Sequence, residues 1–244
     1  LHIPKTGGTS LARALAPYAR PADRWAMRGL ATPVLRRALV AYAGKGDPAR
    51  RLTGLGAHAR LSEAIDQLGE ERIAPLKKIA FIRNPFTHAY SLYAHILRSP
   101  SNPHHGAMKS ASFADMLRQR YLPYKGLQRA YVSAADPIDF VGRFECFEED
   151  ARNLERFLGL PRPLVLERAN VNPAGGPDLC EAFAGILDEF VEKLAWQFSF
   201  FGYSTDIARA HEPPAFAPAP EISAAARWGD KEDAPARRDN PCVP

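Results

Sequence analysis

Cysteine is scarce in this chain and poorly placed for chemistry: Cys146, Cys180 and Cys242 lie far apart with no paired spacing. That leaves neither a metal knuckle nor a disulfide framework, and a reducing compartment is the simpler expectation. Long apolar runs are missing as well, since nothing approaches the roughly 18 residues that a membrane-spanning helix needs. No signal peptide is present. The chain opens at Leu1 directly on a motif, which reads as a piece whose upstream residues, with any targeting signal, lie outside it. No internal repeat is present. Neither sign of charge dominates, because 32 Lys and Arg face 27 Asp and Glu for a net charge of +5. An excess that small fits an anionic small ligand, an acidic polymer or neither. What is present is globular: 46% hydrophobic and 24% charged residues exclude wholesale disorder, and 244 residues suit one domain with appendages.

The charge is unevenly placed. Residues 1–60 hold 11 basic and 2 acidic residues, whereas 61–210 and the segment from His211 onward are each slightly acidic. The cationic excess therefore surrounds the first motif, where it would concentrate an anionic ligand. From His211 the composition shifts, with seven prolines in the last 34 residues and no periodicity. The expected division is a domain over 1–210, its first strand cut short, and an extended Pro/Ala-rich tail over 211–244.

Hydrophobic spacing gives the elements. Leu1-His2-Ile3 reads as the end of a buried strand, followed by a tight turn and a helix over 9–19 with Leu11, Leu15 and Tyr18 on one face. Helices are expected over 33–42 and 63–73, the latter capped by Ser62, with loop over 44–56. The run 77–82 is a buried parallel strand. Asn84-Pro85 stops it and opens a long helix whose stripe is Phe86, Tyr90, Tyr93 and Leu97. Loop follows over 99–110, helix over 113–120, and a strand over 138–144. An acidic helix start at Glu148-Glu149-Asp150 leads to a stop at Gly159, and one long helix spans 178–198. Its inward residues are Leu179, Phe183, Ile186, Leu187, Phe190 and Leu194. Strands alternating with helices predict a central parallel sheet flanked by helices, an α/β fold.

Two segments carry chemistry. Pro4-Lys5-Thr6-Gly7-Gly8-Thr9-Ser10 lies between a strand and a helix N-terminus. Glycines let successive N–H groups point at one anion, the helix dipole adds roughly half a positive charge, and Lys5 adds a full one. Thr9 and Ser10 offer hydroxyl donors. This is not a Walker A loop, because the lysine precedes both glycines instead of following them. The other reading is a capped strand–helix turn with an incidental lysine. The second segment is Arg83 at the end of its strand, where a nucleotide hydrolase would usually place an acidic metal ligand. Ser91, off the apolar stripe on the face of His88 and His95, is placed to bind the same anion as Arg83. Alone, this segment also reads as a helix-capping Asn-Pro and a surface serine. Two anion sites and no expected metal site together point to a nucleotide phosphorylated at both ends.

His2 to Ser10 (His-Ile-Pro-Lys-Thr-Gly-Gly-Thr-Ser) resembles the 5′-phosphosulfate loop of sulfotransferases that use 3′-phosphoadenosine 5′-phosphosulfate (PAPS). Phe81 to Tyr93 (Phe-Ile-Arg-Asn-Pro-Phe-Thr-His-Ala-Tyr-Ser-Leu-Tyr) resembles their 3′-phosphate strand and helix. Gly142-Arg143-Phe144-Glu145 with Asp150 resembles a third recurrent block, and Phe201-Gly202-Tyr203 the closing segment. The resemblance spans about Leu1 to Ser204 and is closest to carbohydrate-type members, including uronyl 2-O-sulfotransferases.

The resemblance implies a three-layer P-loop-like fold and sulfonate transfer from PAPS to a hydroxyl of a carbohydrate or small molecule, without metal. By position, Lys5 would contact the phosphosulfate and offset charge on the leaving oxygen. The backbone of Thr6, Gly7, Gly8, Thr9 and Ser10 would hold the 5′-phosphate, and Arg83 with Ser91 the 3′-phosphate. Transfer to a hydroxyl needs a base, and His58 matches the Gly-His segment that carries it in the 2-O-sulfotransferases. The pattern here is Gly56-Ala57-His58, and a helix-flanking histidine with a structural hydrogen bond is the competing reading. His88 and His95 read as structural or rim residues, His104-His105 as a solvated loop pair, and Glu145 as satisfying backbone donors. The expected partners are the nucleotide donor and a hydroxyl-bearing acceptor, with no nucleic acid. The Ala- and Arg-rich usage points to a bacterial cytoplasm, whereas an anchor upstream of Leu1 would mean a Golgi membrane. Two other classes remain open at this point: an atypical P-loop kinase or hydrolase, and a non-enzymatic anion-binding module.

Overall fold

A computed structural model of the chain describes residues 1–18, 55, 58–124, 128–132, 138–167 and 178–215. The helix expected over 33–42, nearly all of the loop over 44–56, and the tail from 216 lie outside the described residues. The described part is α/β. Its sheet is two parallel strands, β1 (Ile79–Ile82) and β2 (Phe140–Arg143), shorter than the runs 77–82 and 138–144. Ile79 pairs with Phe140 and Ile82 with Arg143. The register is set at the entry, where the Asp139 carboxylate accepts from the Lys78 amide at 2.6 Å and the Lys78 carbonyl accepts from Asp139 and Phe140. Inside the ladder the Phe81 ring lies over Gly142, where a Cβ would stand 2.5 Å from ring carbons. The expected strand Leu1–Ile3 joins no ladder. It runs beside β1, with the Leu1 backbone nitrogen donating to the Ile79 carbonyl at 2.6 Å and Ile3 fully buried.

Asn84 and Pro85 start the Pro85–Arg98 helix as expected: the Asn84 side-chain oxygen accepts from the Phe86 amide at 3.0 Å. The buried stripe is Phe86, Ala89, Leu92 and Ile96, not the expected Phe86, Tyr90, Tyr93 and Leu97. The helix is covered from two sides. Phe86 packs on Phe183, Phe190 and Phe198, while half-buried Tyr90 and Tyr93 lean on Phe113 at 5.5 and 5.3 Å. No helix among the described residues is long and apolar enough to cross a membrane.

Other boundaries move for local reasons. The first helix is Gly8–Leu15 followed by a tight turn over Ala16–Tyr18. The helix expected over 63–73 runs Leu61–Leu68 and resumes over Glu70–Ile73, because Gly69 at φ 89° breaks it. A short helix, His105–Met108, sits inside the predicted loop. The helix expected over 113–120 is regular only over Phe113–Met116 and widens to a π turn over Leu117–Tyr121. The single helix predicted over 178–198 is three pieces, Leu179–Ala182, Leu187–Lys193 and Ala195–Phe201, with Gly185 at φ 75° in the first gap.

The Phe147–Leu158 helix ends at Gly159, left-handed at φ 63°. Its first turn is tied to the end of β2 by a buried fork: Arg143 donates from Nε and Nη2 to the two Asp150 carboxylate oxygens at 2.8 and 2.7 Å, and its backbone amide donates to the same carboxylate at 2.6 Å. With Asp150 fully buried, truncating it removes the fork and leaves the buried guanidinium facing the more exposed Glu149 at 3.8 Å. Asp150→Ala is expected to lower the unfolding free energy by about 3–5 kcal/mol in a urea titration. A loss below about 1 kcal/mol, the range of an exposed pair, would show that the fork does not hold the strand.

Candidate functional site

The chain leaves the Leu1–Ile3 segment through a turn over residues 4–7 that no ordinary loop needs. Lys5 at φ 65° is the single non-glycine residue with positive φ among the described residues, and Gly7 follows at φ 83°. Left-handed residues at this spacing gather amide N–H groups on one side, the geometry of an anion nest. Holding a lysine there costs about 1–2 kcal/mol. The conformation is enforced from the other side by side chains that take three successive carbonyls. Thr6 Oγ1 donates to the Ile3 carbonyl at 3.0 Å, His88 Nε2 to Pro4 at 2.8 Å and Arg83 Nη1 to Lys5 at 3.2 Å. With three successive carbonyls taken by side chains, the loop leads directly into the helix that begins at Gly8. A helix leaves its first N–H groups without intrahelical partners, and here the N-cap Gly7 supplies no side chain and the first turn no acid.

Arg83 is fixed before its guanidinium is placed. The buried Gln128 side chain accepts from the Arg83 amide and donates to its carbonyl, both at 2.7 Å, and so replaces a strand neighbour beyond β1. Next to it, Glu145 accepts from the Asn84 amide at 2.8 Å and from the Tyr203 hydroxyl at 2.7 Å. Burial pushes the Glu145 carboxyl up from its ordinary value. The Arg83 guanidinium lies 4.2 Å over the Phe144 ring and donates to Thr87 Oγ1 at 3.0 Å and to the Lys5 carbonyl. Lys5 and Arg83 thus converge. Burial lowers the Lys5 ammonium, and the positive charges of Arg83 and Arg98 lower it further. Neither Lys5 nor Arg83 has an ion pair among the described residues. Two half-buried cations are held together with neither in an ion pair, and the Glu145 carboxyl offsets Arg83 only from beyond ion-pair distance, an arrangement that favours an added anion.

The remaining predicted residues lie around that pair. Thr6 is buried with its hydroxyl turned to Ile3, and Ser10 is buried, so Thr9, half-exposed at the start of the helix, is the loop hydroxyl on the open side. Ser91 is half-buried one turn beyond Thr87, and its hydroxyl takes no hydrogen bond among the described residues.

The histidines divide sharply. His88 is fully buried: Nε2–H donates to Pro4, Nδ1 accepts from the Tyr121 hydroxyl at 2.7 Å, and burial brings it down to about 3. It is a neutral strut for the loop. His105 Nδ1 bonds the Ile96 carbonyl at 3.0 Å. His95 is half-buried on the face of Ser91 and is lowered by burial and then by Lys5, Arg98 and His58, which places all four in one electrostatic neighbourhood. His58 Nδ1 lies 2.8 Å from the His2 carbonyl, and the Tyr131 hydroxyl donates to the His58 carbonyl at 2.9 Å. A carbonyl oxygen only accepts, so Nδ1 carries the proton. The Nε2 lone pair then takes no hydrogen bond among the described residues, the tautomer a general base needs.

No group of three or more His, Cys, Asp or Glu among the described residues is arranged to hold a metal. Sequence reasoning missed Gln128, Thr87 and the ring of His2. Gln128 sits 45 residues from its partner with no local pattern to mark it, whereas His2 was visible as the first residue of the motif. Compared with known proteins, the chain matches no family model, no curated protein and no solved structure.

Proposed function

We propose that the chain is a sulfotransferase that moves a sulfonate from PAPS to a hydroxyl of a carbohydrate or small-molecule acceptor. On this reading the small sheet is the centre of a three-layer P-loop-like fold, with the anion loop and Arg83 at the carboxyl ends of its strands. One observation carries the proposal: Lys5 and Arg83 are brought together, half-buried, and neither forms an ion pair among the described residues, Glu145 acting on Arg83 from farther away. Nucleotide kinases and hydrolases place an acid at the end of the strand to hold magnesium, and here that position holds a cation. The donor carries phosphate at both ends, and on this reading the loop amides with Lys5 would take one and Arg83, adjoining them, the other.

The reaction forms an O–S bond from the acceptor hydroxyl as the S–O bond to the 5′-phosphate breaks, releasing 3′,5′-adenosine bisphosphate. His58 Nε2 takes the hydroxyl proton, with Nδ1–H held on the His2 carbonyl. Lys5 offsets the charge that develops on the departing phosphate oxygen. The amides of Thr6 to Ser10 hold the 5′-phosphate, and Arg83 with Ser91 holds the 3′-phosphate. His88 and Gln128 keep the loop and Arg83 in place without touching the ligand.

The test is transfer of label from sulfonate-labelled PAPS to a panel of carbohydrate and small-molecule hydroxyls in the presence of EDTA. Label on an acceptor is expected. Magnesium-dependent transfer from the γ-phosphate of ATP, or anion binding with no turnover on any acceptor, would replace this reading with a kinase or a binding module.

A further inference from the structure

We propose that His2 is a positioning residue that fixes the tautomer of His58 and ties it mechanically to the anion loop. The functional side of this inference rests on His58 being the base; the structural side does not. Three contacts meet at His2. Its carbonyl holds the Nδ1 proton of His58 at 2.8 Å. Its ring faces the His58 ring, centroids 4.5 Å apart and planes tilted by 56°. The ring also lies against Gly8, so closely that a Cβ there would stand 2.0 Å from His2 Cδ2. Gly8 opens the helix whose first amides close the anion nest. A single residue therefore touches both the loop that would carry the donor and the ring that would take the acceptor's proton.

The contact explains why glycine is needed at position 8, where the structure requires no positive φ. Any side chain would drive the His2 ring outward, and its carbonyl would lose the angle to His58. It also explains why the first residue of the motif is a planar ring. Burial, with the positive charge of Lys5, lowers His2 to about 4, so it remains a neutral spacer. Freed from the carbonyl, His58 would exchange between its two tautomers, and only one presents a lone pair at Nε2.

The experiment reads the tautomer directly. In the full chain labelled with 15N, two-bond 1H–15N correlations at alkaline pH report which ring nitrogen of His58 carries hydrogen, with His58→Gln giving the assignment. The expected wild-type pattern is a protonated Nδ1 and a bare Nε2. Gly8→Ala and His2→Ala should move both nitrogens toward the averaged values of exchanging tautomers. His2→Phe keeps a ring on Gly8 and should restore the wild-type pattern. In the transfer assay His2→Ala should lower kcat on the order of tenfold to a hundredfold, with bisphosphate affinity within about twofold of wild type and recovery in His2→Phe. A bare Nδ1 in the wild type, or an unshifted pattern in folded His2→Ala, overturns the proposal. The wild-type spectrum decides even if a variant fails to fold. Absence of transfer in every form would remove the sulfotransferase reading and leave the tautomer result to stand or fall alone.

Discussion

His58→Ala is expected to reduce kcat by about 10²–10⁴-fold while leaving the affinity for 3′,5′-adenosine bisphosphate within about twofold. The size is that of a general base removed from a reaction that must deprotonate a hydroxyl. The selectivity comes from the structure. His58 touches the His2 carbonyl and the Tyr131 hydroxyl through one ring nitrogen and its own carbonyl, and neither contact involves Lys5, Arg83 or the loop amides. Its ring also faces the His2 ring that packs on Gly8, but it bonds no group that would hold the anion, so its loss should leave bisphosphate affinity nearly intact. His58→Gln should be almost as inactive, because an amide keeps a hydrogen bond but has no basic nitrogen. Turnover within tenfold of wild type in His58→Ala would take the base role away from it.

Lys5→Ala and Arg83→Ala should act on the other parameter. Each removes a charged donor worth about 1.5–3 kcal/mol to a bound anion, so bisphosphate affinity should fall by roughly 10- to 150-fold. The two differ in their side effects. Lys5 makes no hydrogen bond among the described residues with its ammonium, so Lys5→Ala leaves the left-handed backbone and its three inward bonds in place. Stability should change little, and kcat should fall together with affinity because the charge on the leaving oxygen loses its partner. Arg83→Ala removes a bond to the Lys5 carbonyl, a bond to Thr87 and the stack on Phe144, so it should also lower thermal stability. Arg83→Lys keeps the charge and loses the fork, and should recover only part of the affinity. Calorimetric titration of both variants settles the matter: affinities within twofold of wild type would mean that the anion sits elsewhere.

Much of this site was legible because its signals are local. The glycines and lysine of residues 4–8, the Asn84-Pro85 stop, the apolar run of β1 and the glycine at 159 each act within a few residues of themselves, so spacing reveals them. The helix expected over 178–198 fails for an instructive reason. Phe183, Ile186, Phe190 and Leu194 are all buried as predicted, yet the backbone is broken at Gly185 and again near Leu194. Periodicity reports which side faces the core, and all three pieces face the Phe86 cluster, so the breaks left the pattern intact. The partners that support the site were hidden because they are long-range, even where the role was read, as for Glu145 satisfying a backbone donor. Gln128 reaches Arg83 across 45 residues and Glu145 reaches Asn84 across 61. The charge count is similar: the excess in residues 1–60 supplies Lys5, but Arg83 and Arg98 come from a segment that is acidic on balance. The cationic centre is assembled by folding from two segments that no window of sequence joins.

The central claim, that Lys5 and Arg83 with the loop amides hold a nucleotide phosphorylated at both ends without metal, has one direct test. The full chain is titrated calorimetrically with 3′,5′-adenosine bisphosphate in EDTA, and separately with ATP and magnesium. The account predicts a dissociation constant on the order of micromolar for the bisphosphate, weakened by added salt, and much weaker binding of ATP–magnesium. Preference for ATP–magnesium, or no binding of the bisphosphate, would contradict it.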